Sequence, residues 1–295
     1  MPKFSFYSSL FQSVKVQGLW TLMRADKPIG TYLLLWPTLW GLWAAAEGLP
    51  NPRILLVFVI GVFVMRSAGC VINDYADRKV DGKVKRTNTR PLVTGVVSER
   101  DALLLFASLI LFSFCLVLTL NALTIIMSFG ALALASFYPF MKRFTYFPQF
   151  ILGAAFSWAI PMGFTALLGH IPWYAWVLYS ANLAWTVAYD TMYAMIDRDD
   201  DVKIGVKSTA ILFGKYDKTI IALLQIITLG LLYVVSAYLH WKWPFTLSIA
   251  IAASLFVYQQ WLIRHRDRDA CLKAFLHNHY VGMVVFCGIA ISYIS

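Results

Sequence analysis

Fifteen Asp and Glu residues occur among 295 positions, and eight of them fall in two short segments. The first is Asn73-Asp74-Tyr75-Ala76-Asp77-Arg78-Lys79-Val80-Asp81, and the second is Asp190 followed by Asp197-Arg198-Asp199-Asp200-Asp201. On a helix, Asp74, Asp77 and Asp81 stand at i, i+3 and i+7, which predicts one carboxylate face. Asp190, Asp197 and Asp201, at i, i+7 and i+11, predict a second. Like charges on one face repel one another, so such faces call for cations between them. Mg²⁺ is the natural partner, because it takes oxygen ligands and often binds through one or two carboxylates plus substrate phosphates. The candidate metal ligands are therefore Asp74, Asp77, Asp81, Asp197 and Asp201, with a diphosphate bridging the ions. Basic stretches at 83–90 and 203–207 would neutralise what the metals do not. An EF-hand cage is excluded, because its spacing and central glycine are absent.

The elements that must position these groups are membrane helices. The chain is 60% hydrophobic and only 14% charged, where a soluble domain of this length carries about 25% charge. Its apolar runs are long enough to cross a hydrocarbon core of about 30 Å. Their continuity, without alternation, excludes a barrel. The expected fold is all-α, with nine spans at 29–46, 54–72, 103–120, 123–140, 147–168, 171–189, 219–239, 243–263 and 280–294. An interfacial helix is expected at 9–24. Segment 1–27 lacks the apolar core and small-residue site of a cleavable signal peptide.

With nine spans, 22 of the 25 Lys and Arg residues fall on one side, Arg53 and Lys242 fall on the other, and Arg66 lies inside a span. The positive-inside rule then predicts a cytoplasmic N-terminus and an outside C-terminus. That bias largely accounts for the net charge of +10 without invoking nucleic acid. Cys70, Cys115, Cys271 and Cys287 show neither metal-ligand spacing nor a disulfide pattern and read as packing residues.

Both acidic segments end an even-numbered span on the same side. Asp77 and Asp197 are 120 residues apart, as are Asp81 and Asp201. A single membrane domain built from a diverged duplication, about 28–145 and 146–264, is one reading of this offset. Solvated loops also carry mixed charge, but equivalent placement and facial spacing set these two apart. Asp190 and Arg66 lie at membrane depth, where an ionisable group is costly and functional by default. Arg66 is seven residues before Asn73 and is expected to point into the same cavity.

These residues carry a resemblance. Asn73-Asp74-x-x-Asp77-x-x-x-Asp81 resembles the first Asp-rich motif of the UbiA family of intramembrane prenyltransferases, and Tyr189-Asp190 through Asp201 resembles its second. Three further strings are similar to the bacterial members that act on 4-hydroxybenzoate in ubiquinone synthesis. They are Arg24-Ala25-Asp26-Lys27-Pro28-Ile29-Gly30, Arg86-Thr87-Asn88-Thr89-Arg90-Pro91-Leu92 and Tyr138-Pro139-Phe140-Met141-Lys142-Arg143.

The resemblance implies a helical bundle around a cavity in the bacterial inner membrane. It implies Mg²⁺ as cofactor, with polyprenyl diphosphate and 4-hydroxybenzoate as substrates. The reaction it implies is electrophilic substitution ortho to the phenol, with Mg²⁺ assisting departure of diphosphate. Asp77, Asp81, Asp190, Asp197 and Asp201 are then the catalytic candidates, with Asp190 orienting the phenol or taking the ring proton. Arg78, Lys142 and Arg143 would contact phosphate oxygens. Arg24 would meet the acceptor carboxylate, or else anchor the chain at the membrane surface. Arg66 and Asn73 complete the substrate-binding set, with Tyr75 and Tyr193 shielding a cationic carbon. His265, His277 and His279 do not match the acidic faces. Pro139, Pro148 and Pro161 are candidates for bending spans around the cavity.

Three other readings stand beside this one. A family member with another aromatic acceptor would share the metal site. A CDP-alcohol phosphatidyltransferase would need Ala in the stretch Asp81-Gly82-Lys83-Val84-Lys85-Arg86, followed by further spaced acidic residues, and has neither. A cation transporter would place its carboxylates near span centres, whereas only Asp190 lies deep.

Overall fold

The computed structural model describes residues 14–294, and all regular elements among them are helical. A short helix, α1 (Val14–Leu22), precedes the bundle. Residues 9–13 of the expected interfacial helix lie outside the described residues. The bundle comprises α2 (Ile29–Ala46), α3 (Pro52–Asp77), α4 (Glu99–Val117), α5 (Ala122–Met141), α6 (Pro148–Ser157), α7 (Ala159–Leu168) and α8 (Trp173–Ile204). It continues with α9 (Thr209–Phe213), α10 (Asp217–Leu239), α11 (Trp243–Leu262) and α12 (Arg268–Ser292).

The ends of these helices follow from local chemistry. Pro52 stands at the start of α3, where its missing N–H costs nothing, and Asn51 caps the turn by accepting from the Arg53 N–H at 2.9 Å. Ser98 and Asn121 cap α4 and α5 in the same way. α6 and α7 form one rod with a break at Trp158, because Pro161 has no N–H to offer the Ser157 carbonyl. Pro148 begins α6 and bends nothing, and Pro139 lies near the end of α5.

Seven of these rods, counting α6 with α7 and α9 with α10, are long and apolar enough to cross a membrane. The chain is thus a multi-pass membrane protein. Both remaining long helices, α2 and α8, are the inner ones. Their tryptophans and polar residues lower their hydropathy, and neighbouring helices cover most of their length. α8 packs against α6, α10 and α12, and α2 packs against α3, α7 and α12. Trp40 and Trp185 stack at 5.3 Å in the core. Trp40 donates to the Gly282 carbonyl at 3.0 Å and Trp185 to Asn278 Oδ1 at 2.9 Å. A side chain at Gly282 would strike Trp36 and Trp185 at under 3 Å, so this close crossing requires glycine.

The helix holding the last expected span begins at Arg268, not near residue 280. Its first three turns are too polar to register as a span, although they are helical. α8 likewise runs 15 residues past the expected end at 189, through the whole second acidic segment. Cys70 and Cys271 are buried, whereas Cys115 and Cys287 face outward, so only the first two are packing residues.

Candidate active site

Where α3 and α8 end, a polar cavity of roughly 150 Å³ gathers groups from both acidic segments. Asn73, Asp77 and Asp81 line it from one side, and Asp190, Tyr193, Asp197 and Asp201 line it from the other. Arg86, Arg90 and Lys142 stand among them. On α8 the predicted stripe is intact, because the helix continues unbroken to Ile204.

On α3 it is not. The helix stops at Asp77, and Asp81 returns to the cavity in a 3-10 turn formed with Gly82 and Lys83. The helical face that meets the cavity is Asn73 and Asp77, at i and i+4. Asp74 lies about 100° further round the helix and is not part of the lining. It is buried between Arg24, whose Nη2 is 2.9 and 2.8 Å from its two oxygens, and Arg90, at 2.9 Å. Arg24 is thereby engaged away from the cavity.

The same phase difference turns Arg78 and Tyr75 outward. Arg78 lies 4.0 Å from the Tyr75 ring centroid and 2.8 Å from Glu99. Arg143 donates to the Ala76 carbonyl and caps α3 from outside the cavity.

The cavity's charges are interleaved. Lys142 pairs with Asp77 Oδ2, while Asp77 Oδ1 is buried without a hydrogen-bond partner. Arg90 Nη1 joins Asp81 at 2.7 Å to Asp74. Arg86 pairs with Asp197, donates to the Tyr193 hydroxyl and lies 4.7 Å from the Tyr193 ring centroid. Burial opposes the charge on Arg86, but Tyr193 and Asp197 outweigh it, so its pKa lies above the ordinary value. Burial raises the Asp81 carboxyl above its ordinary pKa; Arg90 opposes this and Asp77 reinforces it.

This donor set fits a hard divalent cation bound with a phosphate ligand. Four carboxylates of the predicted five share the cavity, and the orphaned Asp77 oxygen is a ready ligand. Among the described residues no three acidic, His or Cys side chains converge on one point as a complete cage. Mg²⁺ does not need one, because it keeps water and phosphate oxygens in its shell.

A second cavity, of about 190 Å³, lies beside the first among α3, α4, α5, α6 and α7. Phe58, Val62, Phe114, Val117, Leu132 and Met162 are typical of its walls. Tyr138 lines both cavities. Arg66 is the one charged residue among the described residues lining the apolar cavity. It lies 5.9 Å from the Phe156 ring centroid, and its Nε has no hydrogen-bond partner. A Cβ on Gly30 would fall 2.3 Å from the guanidinium, so glycine is what admits Arg66 there.

Sequence reasoning did not single out Arg86, Arg90, Tyr138 or Lys207 as lining residues. The signal was present in the basic stretch at 83–90 and in the string beginning at Tyr138. Arg86, Arg90 and Lys207 lie in loops, which carry no periodicity from which to read direction, whereas Tyr138 lies on α5.

The UbiA prenyltransferase family profile matches residues 34–282. A 4-hydroxybenzoate octaprenyltransferase from Colwellia psychrerythraea is 60% identical over 95% of this chain and 99% of its own length. The protein of the same name from Yersinia enterocolitica is 59% identical over 97% of this chain and 99% of its own. Among solved structures, the apo form of a UbiA homolog from Aeropyrum pernix superposes with a TM-score of 0.79 at 25% identity. That match covers 88% of this chain and 97% of that one. A UbiA homolog from Archaeoglobus fulgidus, bound to DMAPP and Mg²⁺, gives 0.72 at 20% identity, covering 94% and 98%. The chain belongs to the UbiA prenyltransferase family.

Proposed function

We infer that the chain transfers a polyprenyl group from polyprenyl diphosphate to the ring carbon ortho to the hydroxyl of 4-hydroxybenzoate, a membrane step of ubiquinone synthesis. The structural observation that carries this reading is the junction at Tyr138. A cavity of interleaved acids and bases there adjoins an apolar one. Such a pair matches a substrate with a diphosphate head and a hydrocarbon tail.

In this reading Asp77, Asp81, Asp197 and Asp201 hold Mg²⁺. When bound, that ion acts as a Lewis acid on the leaving diphosphate. Arg86, Arg90 and Lys142 already stand at the carboxylates, and phosphate oxygens give them charge-assisted partners. The allylic C–O bond breaks, and diphosphate leaves with the bonding pair. Tyr138 and Tyr193 line the cavity in which the cationic carbon forms, and the apolar walls keep water from it. The phenol ring attacks, and Asp190 accepts the proton lost from the substituted carbon. Since Asp74 engages Arg24, the acceptor carboxylate falls to Arg66, whose Nε lacks a partner.

The charge asymmetry favours an acidic end facing the cytoplasm of a bacterial inner membrane, with the N-terminus inside and the C-terminus outside. The two acidic segments also favour a single domain of two diverged halves, 28–145 and 146–264.

The test is a membrane assay with radiolabelled 4-hydroxybenzoate and a polyprenyl diphosphate, run with Mg²⁺ and then with EDTA. Label should enter the organic phase with Mg²⁺ only. Transfer to a different aromatic acceptor alone would overturn the acceptor assignment. Intact ion flux without transfer would restore the transporter.

A further inference from the structure

Behind the acidic ridge of α8, ion pairs from two neighbouring connections grip the helix from both flanks. Asp217, the first residue of α10, is fully buried. It accepts from Arg266 Nε at 2.8 Å and from Arg266 Nη2 at 2.7 Å, a fork on a carboxylate. Arg198 of α8 reaches the same carboxylate at 3.5 Å. On the other flank Arg268, which opens α12, donates to Asp200 at 3.1 Å and lies 4.0 Å from Asp199. Arg266 takes a left-handed φ of 60° between α11 and α12, a conformation that a residue with a side chain holds only where its surroundings impose it.

Helical phase gives this arrangement its meaning. With about 100° per residue, Asp197 and Asp201 lie about 40° apart on one ridge. Arg198 stands about 100° to one side of Asp197 and Asp200 about 60° to the other. The grips therefore take the flanks and leave the ridge open to the cavity. A clamp serving stability alone would need only Asp217 and Arg266, which already tie α10 to the α11–α12 connection. Arg198 and Arg268 add α8 to that tie.

We propose that Arg198, Asp217, Arg266 and Arg268 are positioning residues that keep the last turns of α8 helical and aim Asp197 and Asp201 into the cavity. This rests on the reading of the cavity as the prenyl-transfer site. Arg198 is half-buried and Arg268 exposed, and replacing both leaves the buried Asp217 paired with Arg266.

The experiment compares full-length Arg198→Ala/Arg268→Ala with the wild type and with Arg198→Lys/Arg268→Lys. Amide exchange over 198–204 should quicken by about tenfold in the alanine variant, with 173–190 unchanged. Mn²⁺ binding in the presence of inorganic diphosphate, followed by electron paramagnetic resonance, should weaken by about tenfold. The KM for polyprenyl diphosphate should rise while that for 4-hydroxybenzoate stays constant, and the lysine variant should recover part of each loss. Unchanged exchange and Mn²⁺ affinity would overturn the proposal. So would faster exchange along all of α8, which marks general loosening. Failure of the wild type to transfer prenyl groups would remove the functional reading, while exchange and Mn²⁺ binding would still decide the positioning role.

Discussion

Asp77 and Asp81 in the first acidic segment are four residues apart, as are Asp197 and Asp201 in the second, but the two pairs are built in different ways. The second is a continuation of α8, and periodicity alone puts Asp190, Asp197 and Asp201 on one side. The first ends its helix at Asp77 and reverses through a 3-10 turn, with the Val80 N–H donating to the Asp77 carbonyl at 2.7 Å. That reversal returns Asp81 to the cavity and carries Arg86 and Arg90 over it. One half of the site thus depends on helix rigidity. The other depends on a loop held by Arg90 between Asp74 and Asp81. A shared four-residue interval does not mean equal architecture, and the loop-built half also supplies Arg86 and Arg90, two of the cavity's cations.

The largest expected effect tests what the halves share. Asp77→Asn and Asp197→Asn should each lower kcat/KM by about three orders of magnitude, the scale of losing one preorganised electrostatic contact. Both proteins should still insert in the membrane. Full activity of either purified variant would remove that residue from the proposed metal site.

Arg86→Ala comes next, because Arg86 links the loop to the helix through Asp197 and Tyr193. A loss of about a hundredfold is expected, about 2.7 kcal/mol in transition-state free energy. Arg86→Lys should recover only part of it, because the ammonium lacks the planar fork. A steady-state comparison of the three proteins measures both.

Asp74→Asn should separate the halves most clearly. It removes the anion between Arg24 and Arg90, so thermal or denaturant unfolding in detergent should show a loss of about 3 kcal/mol. The rate at saturating Mg²⁺ should fall by only about tenfold, because Asp74 does not line the cavity and acts through Arg90. A loss of activity as deep as that of Asp77→Asn, with stability intact, would make Asp74 a direct ligand. The smallest effect is expected from Arg78→Ala, whose partners Glu99 and Tyr75 lie outside the cavity. Activity within about twofold of wild type should be found.

Much of this was legible in the sequence. Hydropathy located the long rods because lipid-facing residues must be apolar, and α2 matches the expected 29–46. It missed the start of α12 and the extension of α8, because a helix that leaves the membrane keeps its geometry while losing its apolar signature. The chemistry of the site was readable from residue type. Its phase was only half readable. A helical wheel cannot foresee that α3 stops at Asp77, so it grouped Asp74 with Asp77 and Asp81 when Asn73 is the residue that accompanies them. Residue type and position mark both Arg24 and Arg66 as candidate substrate-binding cations, but only the folded chain separates the one engaged by Asp74 from the one lacking a partner at Nε.

The meeting of the two cavities at Tyr138 also bears on how the protein should be handled. An amphiphile with a phosphate-bearing head and an alkyl tail matches the same pair of spaces as the substrate. Phosphocholine detergents are therefore expected to compete with polyprenyl diphosphate, and neutral sugar-headed detergents are not. The choice of detergent at extraction thus becomes a variable of the kinetics.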